Sequence, residues 1–182
     1  LVDDLVLLTR LDQERPFAAE TVDLAAVAAR VVADAAVIDP SSEPTLTIGE
    51  GQMLVEGDEH RLGQVLTNLI DNVRTHAGPA AAARVTIERR EESVILSVED
   101  DGSGMPPEKI RQLLTDKESL DGELHSLGFV FVRRTVEDFG GEIAIDSAVG
   151  EGTTVTVRLP YLQDRVAAPR RRSRCEKYNV PW

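Results

Sequence analysis

Asn68 and Asn72 lie four residues apart in a stretch whose apolar residues recur at helical spacing, so their amides share one face, with His76 a turn further on. An amide oxygen on that face is a neutral donor suited to Mg²⁺, a hard ion that keeps several waters and takes few protein ligands besides nucleotide phosphates. The plainer alternative is a pair of helix-edge hydrogen bonds. Downstream, Asp100-Asp101-Gly102-Ser103-Gly104-Met105-Pro106 places a carboxylate beside two closely spaced glycines. Glycine admits positive φ and the close approach of a ligand, and a carboxylate accepts a hydrogen bond from an exocyclic amine. An ordinary turn accounts for the same residues. A third feature is Ser126-Leu127-Gly128 at a helix entry, where N–H groups and the helix dipole favour phosphate, or simply begin a helix.

These residues need elements to position them. Leu62, Val65, Leu66, Leu69, Ile70 and Val73 form a stripe close to 3.6 periodicity, predicting a helix capped by Asp58 and running to His76. Asp23 likewise caps a helix over 24–38, with Leu24, Val27, Val31 and Ala35 on one face. Alternation predicts strands at 45–48 and 53–55, joined through Gly49-Glu50-Gly51 as a hairpin, and an antiparallel pair at 84–88 and 93–98. Further on come a helix at 107–114, a polar segment at 115–126, a helix at 127–139 ended by Gly140-Gly141, and strands at 142–147 and 153–159. This order predicts an α+β domain, a two-layer α/β sandwich with a mixed sheet and its helices on one face. The domain is expected over residues 16–160. It follows the end of a helix at 1–15 and precedes a tail at 161–182 whose one distinctive feature is Arg170-Arg171-Arg172-Ser173-Arg174.

Composition narrows the classes. Lys and Arg total 20 against 32 Asp and Glu, a formal charge of −12 in 182 residues, which disfavours nucleic acid or an anionic membrane as a partner. Seven aromatic residues leave the core to Val, Ile, Leu and Ala. The single cysteine, Cys175, excludes an internal disulfide and a multi-cysteine metal site, as expected in a reducing, cytoplasmic setting. There is no run of about eighteen apolar residues, and the start has no signal-peptide layout. The chain reads as a fragment of something longer.

Taken in order, Asn68-Leu69-Ile70-Asp71-Asn72, then Asp100-Asp101-Gly102-Ser103-Gly104-Met105-Pro106, then Leu127-Gly128 with Phe139-Gly140-Gly141, then Gly150-Glu151-Gly152-Thr153-Thr154, resemble the N, G1, G2 and G3 boxes of sensor histidine kinase ATP-binding domains. The opening Leu-Val-Asp-Asp-Leu-Val-Leu-Leu resembles the end of that family's second dimerisation helix. The resemblance implies a Bergerat-type ATP-binding fold and the cofactors ATP and Mg²⁺. It implies that Asn72 binds Mg²⁺, Asp100 receives the adenine amino group, and Gly102 and Gly104 line the base pocket. Asn68 would lie by the phosphates, Gly128 would approach them with Ser126 and Leu127, and Thr153 would support the adenine end. His76 would take a pocket-side place.

Related ATPases of the wider superfamily are known for a glutamate four residues before the magnesium asparagine. Here that position is Asn68, a poor general base, which favours phosphoryl transfer over hydrolysis. The implied reaction moves the γ-phosphate to a histidine on a dimerisation helix upstream of Leu1, since His60, His76 and His125 lie in the wrong context. Implied partners are the parent protein's dimerisation helices, in a homodimer, and a response-regulator receiver domain.

The chain also departs from the pattern. Thr75 replaces a usual Lys or Arg, with Arg74 adjacent and Lys117 as a substitute cation, and the G2 box reads Leu124-His125-Ser126-Leu127-Gly128 with two glycines replaced. These departures leave open a degenerate nucleotide-binding or docking module without phosphoryl transfer.

Overall fold

The computed structural model describes residues 20–40, 44–78, 81–115 and 124–162. Strand β1 (Glu20–Asp23) runs straight into helix α1 (Leu24–Ile38), and the switch is made by Asp23, whose carboxylate accepts from the Ala25 N–H at 3.0 Å. Strands β2 (Thr45–Ile48) and β3 (Leu54–Gly57) follow, then helix α2 (Glu59–His76), where Asp58 repeats the device by accepting from the Arg61 N–H at 3.0 Å. Next come β4 (Arg84–Arg90), β5 (Ser93–Asp100), α3 (Pro107–Thr115), α4 (Leu124–Asp138), β6 (Glu142–Ala148) and β7 (Gly152–Pro160).

The mixed five-stranded sheet has the order β2-β4-β5-β7-β6, with β2 parallel to β4 and every other pair antiparallel. Val85, Ile87, Val94, Leu96, Val98, Val157 and Leu159 alternate along its three central strands and are buried beneath the helices. α2 answers with the expected stripe, Leu62, Val65, Leu66, Leu69, Ile70 and Val73 all being buried. Each such side chain contributes about 1.5–3 kcal/mol by leaving water. The predicted α+β sandwich is thus the observed one.

The expected hairpin between β2 and β3 does not form. β2 instead extends the sheet beside β4, its ladder prolonged by Thr45 N–H to Ala83 O at 2.9 Å and Gly49 N–H to Ile87 O at 2.7 Å. β3 has no free edge to offer it. On one side it pairs antiparallel with β1, setting Val22 opposite Val55, and on the other it bridges Tyr161 and accepts from the Leu162 N–H at Leu54 O, 2.8 Å.

Tyr161 and Leu162, read from composition as the start of the tail, are therefore bonded into the domain. Tyr161 N–H also donates to Glu92 O at 2.8 Å, and the Arg89 guanidinium lies 4.0 Å over the Tyr161 ring.

α4 starts at Leu124, three residues before its expected beginning. Leu124 and Ser126, where the resembling pattern has glycine, are compatible with a helix, so the helical run extends back by almost a turn. Its C-terminus is a Schellman motif, with Gly141 N–H donating to Val136 O and Gly140 N–H to Glu137 O, both at 2.9 Å. α3 opens on Pro107, which fits a first helical position, and it buries no residue fully. Among the described residues no helix is long and apolar enough to cross a membrane.

Leu66 is fully buried on α2 and gives a direct test of this core. Leu66→Ala is expected to lower unfolding free energy by about 2–5 kcal/mol in urea titration. Asp58→Ala, which removes only the cap, is expected to cost about 1 kcal/mol.

Candidate functional site

A cavity of about 250 Å³ opens between the C-terminal half of α2, the ends of β5 and β7, α3 and the start of α4. α2 supplies Asn72 and His76, four residues apart and on one face, while Leu69 and Val73 of the same helix turn apolar surface toward the cavity and the core. Asp100, the last residue of β5, and Thr153, its cross-strand partner on β7, close the sheet end. α3 contributes Lys109 and Leu113, and among the described residues Lys109 is the one Lys or Arg lining the cavity.

Asp100 is 8% exposed. Its Oδ1 accepts from the Gly102 N–H at 2.9 Å, which holds the carboxylate at the cavity edge and leaves Oδ2 to accept from a bound donor. The loop after β5 is pinned to the end of α2. Ser103 N–H donates to Ala77 O at 3.1 Å and Ser103 Oγ–H to His76 O at 3.1 Å, satisfying carbonyls that the helix terminus leaves unpaired. The same loop is bonded to the β6–β7 hairpin through Gly150 N–H to Ser103 O at 2.8 Å and Met105 N–H to Ser147 Oγ at 2.8 Å.

These contacts demand glycine. At Gly104, with φ +62°, an added Cβ would fall 1.9 Å from Ala148 O, and at Gly102 it would fall 2.3 Å from Ala77 Cβ.

The structure brings Asn72, His76, Asp100, Gly104 and Thr153 together around one cavity. Asn68 and Gly128 face each other, an added Cβ on Gly128 lying 3.6 Å from Asn68 Oδ1, but neither lines the cavity wall. Gly102 also stands behind the wall, packed on Ala77. Ser126 and Leu127 lie in the first turn of α4 and Gly128 one turn inside it, so the expected helix entry at Gly128 moves back to Leu124. Lys117 lies outside the described residues.

Arg74 does not replace the cation missing at Thr75. Its guanidinium bonds Asp71 Oδ1 at 3.1 Å and lies 3.5 Å from Asp39 Oδ2 at the end of α1, and neither Arg74 nor the exposed Thr75 lines the cavity.

Sequence reasoning missed Lys109, Ser103 and Ser147. Lys109 sits in a helix whose only visible signal was Pro107, and the two serines look like ordinary polar loop and strand positions. It also missed Arg133, buried on α4, whose Nη1–H donates to Leu113 O at 3.1 Å and joins α4 to the last turn of α3.

A mixed sheet covered on one face by helices, with an asparagine helix and an aspartate-glycine loop meeting at the sheet end, defines an ATPase class. Residues 57–163 match the histidine kinase-, DNA gyrase B-, and HSP90-like ATPase family. The chain belongs to this family, as a Bergerat-type ATP-binding domain homologous to sensor histidine kinase catalytic domains.

Over 167 residues it is 34% identical to the probable sensor histidine kinase TcrY of Mycobacterium tuberculosis strain H37Rv, covering 88% of this chain and 35% of that protein. It thus spans about a third of that relative's length. Its fold is similar to that of the mycobacterial sensor histidine kinase MprB (TM-score 0.67, 24% identity, covering 79% of this chain and 97% of that one). It is also similar to full-length ShkA, solved in complex with AMPPNP (TM-score 0.65, 23% identity, covering 81% of this chain and 32% of that one).

Gly104→Ala is expected to destabilise the fold by at least about 2 kcal/mol, because alanine at positive φ costs about 1–2 kcal/mol and the Ala148 carbonyl must also move. Urea unfolding measures it. Arg74→Ala, by contrast, is expected to leave nucleotide affinity within twofold of the native chain in calorimetric titration, since its side chain is turned to Asp71 and Asp39.

Proposed function

We propose that this chain holds Mg²⁺-ATP in the cavity and presents the γ-phosphate to a histidine on a dimerisation helix of the parent protein, as the catalytic part of a two-component sensor histidine kinase. The observation that carries the reading is the meeting of Asn72 and Asp100 across one cavity, an amide on the helix wall and a buried carboxylate at the sheet end. ShkA, a protein of similar fold, is solved with AMPPNP, which supports a nucleotide as the ligand.

The donor set fits the implied metal. Among the described residues no three His, Cys, Asp or Glu side chains gather into a metal cluster, and a single amide at Asn72 suits an ion held mainly by phosphate and water. Bound with ATP, Mg²⁺ supplies neutralisation of phosphate charge and a template for in-line transfer. The chain's own residues do the rest. Asp100 Oδ2 accepts from the adenine amine, Asn72 offers its amide oxygen, and Asn68 beside Gly128 orders the neighbouring phosphate end without acting as a base. Catalysis is positioning, with the attacking group supplied by another helix. The partners of this reading are a second copy joined through the dimerisation helices and a response-regulator receiver domain, on the cytoplasmic side.

A second reading, a nucleotide-binding or docking module that transfers nothing, is favoured by one observation. Arg74 is committed to Asp39 and Asp71, and Thr75 offers no charge in place of the usual Lys or Arg.

Asn72→Ala separates nucleotide binding from folding, because the apolar stripe still holds α2 and alanine favours helix. Mg²⁺-dependent ATP affinity should fall at least tenfold in calorimetric titration while the unfolding midpoint stays near native. Undiminished affinity rejects the assignment of Asn72.

Incubated with γ-labelled ATP, the chain should leave its own His60, His76 and His125 unlabelled and transfer acid-labile phosphate to a separately supplied dimerisation hairpin of the parent protein. Nucleotide binding without transfer to that hairpin selects the second reading.

A further inference from the structure

Ser147, on β6, does not line the cavity, yet three groups converge on its hydroxyl. Met105 N–H donates to Ser147 Oγ at 2.8 Å, Gly152 O lies 2.9 Å away, and Thr153 Oγ1 lies 3.0 Å away. A hydroxyl has one proton and two lone pairs. A carbonyl can only accept, so the Ser147 proton goes to Gly152 O. Both lone pairs of Ser147 then receive donors, Met105 N–H on one and the Thr153 hydroxyl on the other. Thr153 has thereby spent its only proton and keeps lone pairs alone.

Thr153 lines the cavity beside Asp100, its cross-strand partner, whose Oδ1 is taken by Gly102 N–H and whose Oδ2 is left to accept. The sheet end of the cavity therefore presents two neighbouring acceptors, a carboxylate and a hydroxyl whose proton points away.

We infer that Ser147 is a positioning residue for base selectivity: by fixing Thr153 as an acceptor, it makes this end of the cavity complementary to a purine with a 6-amino group and hostile to one with a 6-oxo group. With the 6-substituent set between the two, an amine has an N–H proton for each acceptor, whereas a carbonyl oxygen faces both with lone pairs and the N1–H of a 6-oxo purine can serve only one of them. That mismatch is why sites built around hydrogen bonds reject analogues so strongly. Without Ser147 the Thr153 hydroxyl turns freely and donates to a 6-oxo group.

The inference rests on the proposed ATP site, and its test keeps the two apart. Dissociation constants of Mg²⁺-ATP and Mg²⁺-ITP are measured on the full chain by calorimetry for the native protein and for Ser147→Ala, Ser147→Cys, Thr153→Val and the Ser147→Ala/Thr153→Val double variant. Cysteine keeps a γ atom at position 147 but accepts weakly, so it serves if alanine disturbs the hairpin.

The ITP/ATP ratio of dissociation constants should fall about fivefold in each single variant, the worth of one neutral hydrogen bond. It should fall no further in the double variant, because both changes remove the same acceptor. A merely structural Ser147 would weaken both nucleotides equally. An unchanged ratio in both Ser147 variants, or additive effects in the double variant, overturns the inference while leaving the ATP site standing. A native chain that binds neither nucleotide overturns both.

Discussion

Behind the cavity, three glycines let their backbone lie closer to neighbouring segments than any side chain would allow. Gly104 lies against the Ala148 carbonyl, Gly152, with φ +100°, lies against the Asp100 carbonyl, and Gly102 lies against Ala77 at the end of α2, each at a distance where a Cβ would overlap. The apolar core holds the helices to the sheet, but burial is non-directional and tolerates small slides of one layer over another. The glycine contacts do not. They lock the loop after β5 to the β6–β7 hairpin on one side and to the helix terminus on the other. The hydrogen bonds of Ser103, Gly150 and Met105 become possible only at that separation. Asp100, Thr153 and the Asn72 face of α2 inherit fixed relative positions from this junction.

Much of this was legible because it is local. α1 and α2 were written in apolar period and in Asp23 and Asp58, and both caps act within three residues of themselves. Asp100 and Gly104 were legible because closely spaced glycines beside a carboxylate mark a backbone that a ligand can approach, and Thr153 only through the resemblance of its box. Partner choice was not local. The alternation in β2 and β3 shows that each is extended, yet nothing in either strand states that β3 would be occupied on both edges, by β1 and by Tyr161-Leu162. The start of α4 was placed late because Leu124 and Ser126 stand where a resembling pattern has glycine, and the residues present permit a helix there. Ser147 stayed hidden for a related reason: period two puts it on the face of Ile143 and Ile145, but nothing local states that the hairpin folds Gly152 and Thr153 onto its hydroxyl.

The distribution of charge bears on the same site. Several arginines outside the cavity are already matched to carboxylates: Arg30 with Glu59, Arg84 with Glu99, Arg74 with Asp71 and Asp39. Exposed pairs of this kind contribute about 0–1 kcal/mol to stability. What they do instead is withhold cations. In a chain of net charge −12, a polyanionic ligand meets a largely negative surface. Among the described residues, Lys109 therefore stands out as the cation in the cavity wall.

The double flanking of β3 also decides how the domain carries mechanical load. β1 lies on one edge of β3 and Tyr161-Leu162 on the other, so Glu20, opposite Gly57, and Leu162, beside Leu54, stand about two strand spacings, roughly 10 Å, apart across β3 and at its opposite ends. A pull between these two points is borne by the few hydrogen bonds on the edges of one four-residue strand. Tyr161 continues directly from β7, the strand that carries Thr153, so the bonds of Tyr161-Leu162 to β3 stand between a load at Leu162 and the cavity end of β7. The double flanking of β3 thus acts as strain relief for the strand that bounds the site.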